Sequence, residues 1–260
     1  MNYEAKATAT TPAHVIFLID SSQSMTVNCY GQSRMVVVHQ ALTQVILQMI
    51  AMSTKVIGGQ PKISPRFRIA VLGYNEQIHD PFNGFVPLDK LADLGVPLFT
   101  PEGNTNTALG FQTVDNLLQK SLPNLPSTWP APLVCHLTDG ECNVGGPPNA
   151  IVDRIKSYAT GDGPVLIENI FVRDSALRTD ITDIQTWQGV RTPQDLQDQY
   201  AIGLFHMSSV IPEPYIRAIQ YAGFSQIQPG VRLLFPGTNP ELIKTALAVT
   251  GSSGMVERPS

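Results

Sequence analysis

The short run from His14 to Ile19 (His-Val-Ile-Phe-Leu-Ile), closed by Asp20, constrains the fold more than any other feature of the chain. A continuous apolar run of this length reads as a strand buried on both faces, and such strands belong to parallel sheets covered by helices. The rest of the chain repeats the theme. Ser33 to Met52 sets Met35, Val38, Leu42, Val45, Ile46 and Met49 at helical spacing. Phe67 to Tyr74 reads as a second strand, with an edge strand near Ile78. Helices are expected over 105–118 and 147–158, and strands over 133–137 and 165–172. Residues 55–65 and 81–101, rich in Gly and Pro, read as loops. Ile202 to Met207 is ambiguous between helix and strand. A short helix at 214–222, a strand at 231–235 and a helix at 240–249 close the pattern. Strands alternating with helices predict an α/β fold, a doubly wound and mostly parallel sheet with helices on both faces.

The chain has 260 residues, enough for one large domain with a sizeable core. We expect that domain at 13–250, between a flexible N-terminal segment at 1–12 and a flexible tail at 251–260. The polar stretch 174–199 reads as an insertion or long loop. It contains Trp187, either the anchor of the loop's own small core or a partner contact, the first being favoured because a long structureless loop usually packs on something. A net charge of −4 disfavours a nucleic-acid binder, which needs clustered Lys and Arg. No apolar run is expected to reach membrane-span length, and the N-terminus lacks an apolar signal core. The three cysteines Cys29, Cys135 and Cys142 show no metal-like pairing, which suits a reducing cytoplasm.

Short oxygen side chains concentrate in three loops, each near the C-terminal end of an expected strand, where open α/β sheets bind ligands. These are Asp20-Ser21-Ser22-Gln23-Ser24, Gly103-Asn104-Thr105-Asn106-Thr107 and Thr138-Asp139-Gly140. In an extended turn alternate residues face one side, so Asp20, Ser22 and Ser24 can converge. Adding Thr105 and Asp139 makes five oxygen donors from three segments. Hydroxyls, one or two carboxylates and water form a donor set for hard Mg²⁺, or Mn²⁺. Two acids leave no excess negative charge, so the ion stays electrophilic and can accept an outside carboxylate. Glu141, just past the third loop, could widen the acidic rim, although a solvated loop charge is the plainer reading.

This pattern resembles the metal-ion-dependent adhesion site of von Willebrand factor A (vWA) domains. The resemblance places the Asp-x-Ser-x-Ser motif on Asp20, Ser22 and Ser24, the threonine on Thr105 and the second aspartate on Asp139. Thr107 competes with Thr105, but Gly103-x-Thr105 fits the usual Gly-x-Thr, and Gly110, Phe111 and Val114 fit the phase of the adjoining helix. Gln23 stands where Gly is common. The resemblance implies a Rossmann-like vWA fold binding Mg²⁺ or Mn²⁺, completed by an Asp or Glu of a protein partner. The stretch from Leu204 to Asn239 is similar to a bacterial subfamily related to tellurium-resistance-associated vWA proteins. That likeness implies an adaptor or scaffold working with a PPM-type phosphatase and a Ser/Thr kinase in cytoplasmic signalling, stress resistance or defence. A regulator of an AAA+ ATPase is the alternative.

Catalytic readings fare poorly. The glycine-rich phosphate loops and the Gly-x-Ser-x-Gly elbow are absent from the sequence. A haloacid-dehalogenase-like phosphatase would need a second Asp two residues after Asp20, to protonate the leaving group. That position is Ser22, and we expect no enzyme.

Overall fold

The first strand, β1 (Ala13–Asp20), is buried along its whole length. Its alternate side chains supply two separate cores. Val15, Phe17 and Ile19 point to one, Ile16 and Leu18 to the other, as period-two alternation requires of a strand covered on both faces. A computed structural model describes residues 3–237, apart from positions 30, 174, 175, 180, 184 and 222, together with residues 242–244, 246 and 247.

Around β1 run β2 (Phe67–Tyr74), β3 (Ile78–His79), β4 (Val86–Pro87), β5 (Leu133–Thr138), β6 (Leu166–Phe171) and β7 (Leu234–Pro236). The sheet order is β7-β6-β5-β1-β2-β3, with β4 also paired to β2. The pairs β1–β2, β1–β5, β5–β6 and β6–β7 are parallel, while β3 and β4 pair antiparallel to β2. The chain leaves β1 towards β2 on one side and returns to β5 on the other. The C-terminal end of β1 is therefore a topological switch point, the place where such sheets open a crevice.

Helices cover both faces. On one lie α1 (Arg34–Ser53), α2 (Leu88–Leu94) and α6 (Glu213–Tyr221), which bury Leu42, Leu91 and Ile219 among others. On the other lie α3 (Thr107–Ser121), α4 (Asn149–Ser157) and α5 (Gln199–Met207), burying Phe111, Ile155 and Phe205. This is the Rossmann-like vWA arrangement expected from the sequence.

Several local expectations need correction. Residues 55–65 hold a hairpin, Thr54–Ile57 against Gln60–Ile63, turned by Gly58 and Gly59 at φ +60° and +81°. Left-handed conformation at two successive residues is what a two-residue hairpin loop needs. The stretch 81–101 contains β4 and α2. Helix α3 starts at Thr107 rather than 105, because Asn106 caps it by accepting from the Leu109 N–H at 3.0 Å. Ile202 to Met207 is the greater part of α5. In the N-terminal segment the Glu4 and Ala5 N–H groups donate to Asp162 Oδ1 at 2.7 and 2.8 Å. Helix α1 corrects the expectation about span length. At 20 residues it is long and apolar enough to cross a membrane, but here Met35, Val38, Leu42, Val45, Ile46 and Met49 are buried against the sheet. Of the closing helix expected at 240–249, residues 242–244, 246 and 247 are helical. The rest of it, and the tail from 251, lie outside the described residues.

The 174–199 stretch packs on the domain. Trp187 is half-buried, its ring 5.2 Å from that of Phe224 and 6.0 Å from that of Phe235.

Candidate metal centre

Parallel pairing sets the height of every donor. Asp20, the last residue of β1, stands opposite Tyr74 of β2, and Ile19 stands opposite Leu137 of β5. Asp139, two residues beyond Leu137, therefore emerges at the same end of the sheet as Asp20. Backbone hydrogen bonds then lock the three loops together. The Gln23 N–H donates to Gly103 O at 3.0 Å, and the Glu102 N–H to Ser21 O at 2.9 Å. Thr105 O in turn accepts from the Asn143 and Val144 N–H groups at 3.0 and 3.3 Å. The loop holding Thr105 thus bridges the one after β1 and the one after β5.

Within this frame the first loop curls on itself. The Ser22 N–H donates to Asp20 Oδ1 at 2.9 Å, an Asx-type turn. It brings the Ser22 and Ser24 hydroxyls to 3.1 Å from each other. The other Asp20 oxygen accepts from the Thr138 hydroxyl at 2.7 Å. Asp20, Ser22, Thr105 and Asp139 are all buried, and Ser24 is half-buried. Burial pushes the Asp20 carboxyl up to about 7, against the hydrogen bonds from Ser22 and Thr138 that favour its charged form. Gly140 makes the turn after Asp139 possible. Its φ is +85°, and a Cβ there would lie 2.5 Å from the Phe171 ring.

The two threonines have different surroundings. Thr107 lies beside the Tyr74 phenol beneath the site, as does Thr138. Tyr74 in turn meets His136 Nε2 at 2.7 Å, and His136 Nδ1 meets Asn169 Oδ1 at 2.8 Å. Burial holds the His136 imidazole down at about 4, so it is neutral at pH 7. The amide of Asn169 donates to Ser208 Oγ at 2.9 Å, which leaves its oxygen to accept from His136. Thr105 takes no part in this buried chain.

Neither the Tyr74–His136–Asn169 chain nor a second feature, Arg34, shows in the sequence pattern. Arg34, the first residue of α1, places Nη1 2.8 Å from Asp139 Oδ2 and 3.4 Å from Ser24 O. Only 10% of its side chain is exposed, and none of the Asp139 side chain. No spacing rule links residues 34 and 139. The available signal was a cation at a helix start, where the dipole disfavours it, with no acid in the first turn. Glu141, rather than standing alone on the rim, faces Arg173 at 3.4 Å. Cys135 is buried and Cys142 exposed, both as free thiols. Beside the site a cavity of about 500 Å³ opens between the 140–149 loop and α5, with Thr107, His136 and Thr138 among its lining residues.

Among the described residues no three of His, Cys, Asp and Glu gather in one place. The candidate donors are instead two carboxylates and three hydroxyls with no soft ligand, a set that suits a hard divalent cation. A guanidinium nitrogen stands 2.8 Å from one of the two carboxylates.

Sheet order and helix layers together define a vWA-like Rossmann fold. Neither a family model nor any curated protein matches the sequence. Solved structures do. The PilB minor pilin of Streptococcus sanguinis matches at 13% identity and a TM-score of 0.55, over 93% of this chain and 61% of that one. The pilus adhesin SpaC of Lactobacillus rhamnosus GG matches at 10% identity and a TM-score of 0.57, over 96% of this chain and 31% of that one. Proximal thread matrix protein 1 of the mussel byssus matches at 14% identity and a TM-score of 0.51, over 92% of this chain and 46% of that one. At these identities the likeness is one of fold, and this chain spans less than two thirds of each neighbour's length.

Proposed function

We propose that the domain is a metal-dependent protein-interaction module, an adaptor or scaffold rather than a catalyst. The observation that carries this reading is the meeting of the three hydroxyl-rich loops at the switch point of the sheet. Asp20, Ser22, Ser24, Thr105 and Asp139 would hold one Mg²⁺ or Mn²⁺. The ion supplies an electrophilic centre for an Asp or Glu of a partner protein. The chain's own part is to position the donors: Ser22 N–H and Thr138 fix Asp20, Arg34 fixes Asp139, and the backbone bonds at Thr105 hold the loops in register. Ser22 supports a binding role, since a hydroxyl at that position cannot serve as the general acid of an aspartyl phosphatase.

A phosphatase–kinase signalling partnership in a bacterial cytoplasm, with a role in stress resistance or defence, is the finer form of the proposal. It rests on the sequence resemblance over Leu204 to Asn239. Control of an AAA+ ATPase is the alternative partnership. The test is affinity capture from the native host with Mg²⁺ or with EDTA, using wild type and Asp20→Ala as baits. A partner retained only by wild type and only with Mg²⁺ supports the module. Equal retention by both baits in EDTA counts against it, and Mg²⁺-dependent hydrolysis of a generic phosphomonoester would favour an enzyme.

A further inference from the structure

Arg34 sits where local rules disfavour it. It is the first residue of a 20-residue helix that has no acid in its first turn, so its charge opposes the helix dipole. It is also nearly buried, which is costly for an unpaired cation. Its backbone is fixed at this spot, because the Arg34 N–H donates to Val27 O at 3.0 Å and Ser33 caps the helix by accepting from the Val36 N–H at 3.3 Å. What offsets the cost is the 2.8 Å contact with Asp139. The same Nη1 reaches Ser24 O at 3.4 Å, and the buried Nε has no hydrogen-bond partner. A residue that breaks a local rule for the sake of one distant contact belongs to a functional device more often than to a packing scheme.

We propose that Arg34 is an internal counter-cation, which competes with the divalent ion for Asp139 and sets the affinity of the site. The inference rests on the cation reading above. Without an ion the pair Arg34–Asp139 is neutral, and Asp20 is met by the Ser22 N–H and the Thr138 hydroxyl instead of by a guanidinium. An ion that takes Asp139 as a ligand must share it with Arg34 or displace the guanidinium. An ion that leaves the pair intact meets Asp139 already neutralised. Either way a bare cation binds more weakly than the two carboxylates alone would allow. The compensation is electrostatic. Two carboxylates, Arg34 and a divalent ion sum to a net charge of +1, against zero without Arg34, so the loaded site attracts an anionic group more strongly.

The test is a Mn²⁺ titration by calorimetry of wild type, Arg34→Gln and Arg34→Lys. Removing a buried positive charge beside a divalent ion should tighten Mn²⁺ binding about tenfold or more in Arg34→Gln. Arg34→Lys, which keeps the charge, should stay near wild type. A second readout uses the native side chain. The Arg34 Nε resonance, assigned by its absence from the ¹⁵N spectrum of Arg34→Gln, should move when wild type is saturated with Mg²⁺. If wild type binds Mn²⁺ and Arg34→Gln binds no tighter, or the Nε resonance stays still, the role given to Arg34 is wrong while the cation site stands. If none of the three proteins binds Mn²⁺, the cation reading itself falls and takes this inference with it.

Discussion

Asp20 and Asp139 are buried at the same sheet end but have their charge met in different ways. Asp139 has Arg34 at 2.8 Å, whereas Asp20 has only the Ser22 N–H and the Thr138 hydroxyl. Desolvation therefore wins at Asp20 and pushes its carboxyl up to about 7. A cation bound there must displace a proton at lower pH, so Mn²⁺ affinity should rise between pH 6 and pH 8, and a flat profile would contradict the assignment. The same shift affects stability. A carboxyl whose folded pKa is raised stabilises the fold below its unfolded pKa, and that contribution is lost as pH rises through about 7. A bound cation removes the loss, so added Mg²⁺ should raise the Tm more at pH 8 than at pH 6. The threonines separate in a second prediction. Thr105→Ala should weaken Mn²⁺ binding with little change in Tm. Thr107→Ala, which removes a buried hydroxyl beside the Tyr74 phenol, should cost about 1 kcal/mol of stability in urea unfolding and leave Mn²⁺ affinity closer to wild type. The candidate donors were legible because short spacings carry them: Asp-x-Ser-x-Ser, Gly-x-Thr and Thr-Asp-Gly. Arg34 and the Tyr74–His136–Asn169 chain were not, since each contact joins residues far apart in sequence.

At the scale of elements, the strands buried on both faces were easiest to read. Both β1 and β2 are eight-residue, mostly apolar segments, short and rich in β-branched and aromatic residues, as strands of a covered sheet are. Elements that depend on tertiary contact were harder. Helix α2 has seven residues, too few to show a period. The hairpin at 54–63 is mostly exposed, so its outward Val56 and Ile57 gave no alternation to detect. Helix α5 has nine residues, and Ile202, Leu204, Phe205 and Met207 follow so closely that strand and helix periods look alike. Trp187 ties that stretch to Phe224 and Phe235. Trp187→Ala should therefore lower stability by about 2 kcal/mol or more, seen as an earlier melt, with Mn²⁺ affinity unchanged. An unchanged Tm would place Trp187 outside the core.

For the molecule as a whole, two buried imidazoles set the acid limit. Burial holds both His14 and His136 at about 4. The unfolded chain binds protons at these residues from about pH 6.5 downwards, while the folded one resists until about 4. The stability these imidazoles contribute is therefore complete above about 6.5 and is lost as pH falls towards 4. Asp20 works in the opposite direction over part of that range, but two imidazoles outweigh one carboxyl. The urea midpoint should fall between pH 6.5 and pH 4, and a constant midpoint would show that the imidazoles are not buried neutral. Chain order and layer arrangement followed from the alternation of strands and helices, and the switch point at β1 followed from them in turn. Which chemistry occupies that point is a matter of five side chains, and calorimetric titration of Mn²⁺ into wild type and Asp20→Ala tests it most directly. The account predicts one site per chain in wild type and none in the variant, with matching circular dichroism spectra because Asp20 lies at the C-terminal end of β1 and outside both apolar cores. Equal binding by the two proteins, or binding by neither, would contradict it.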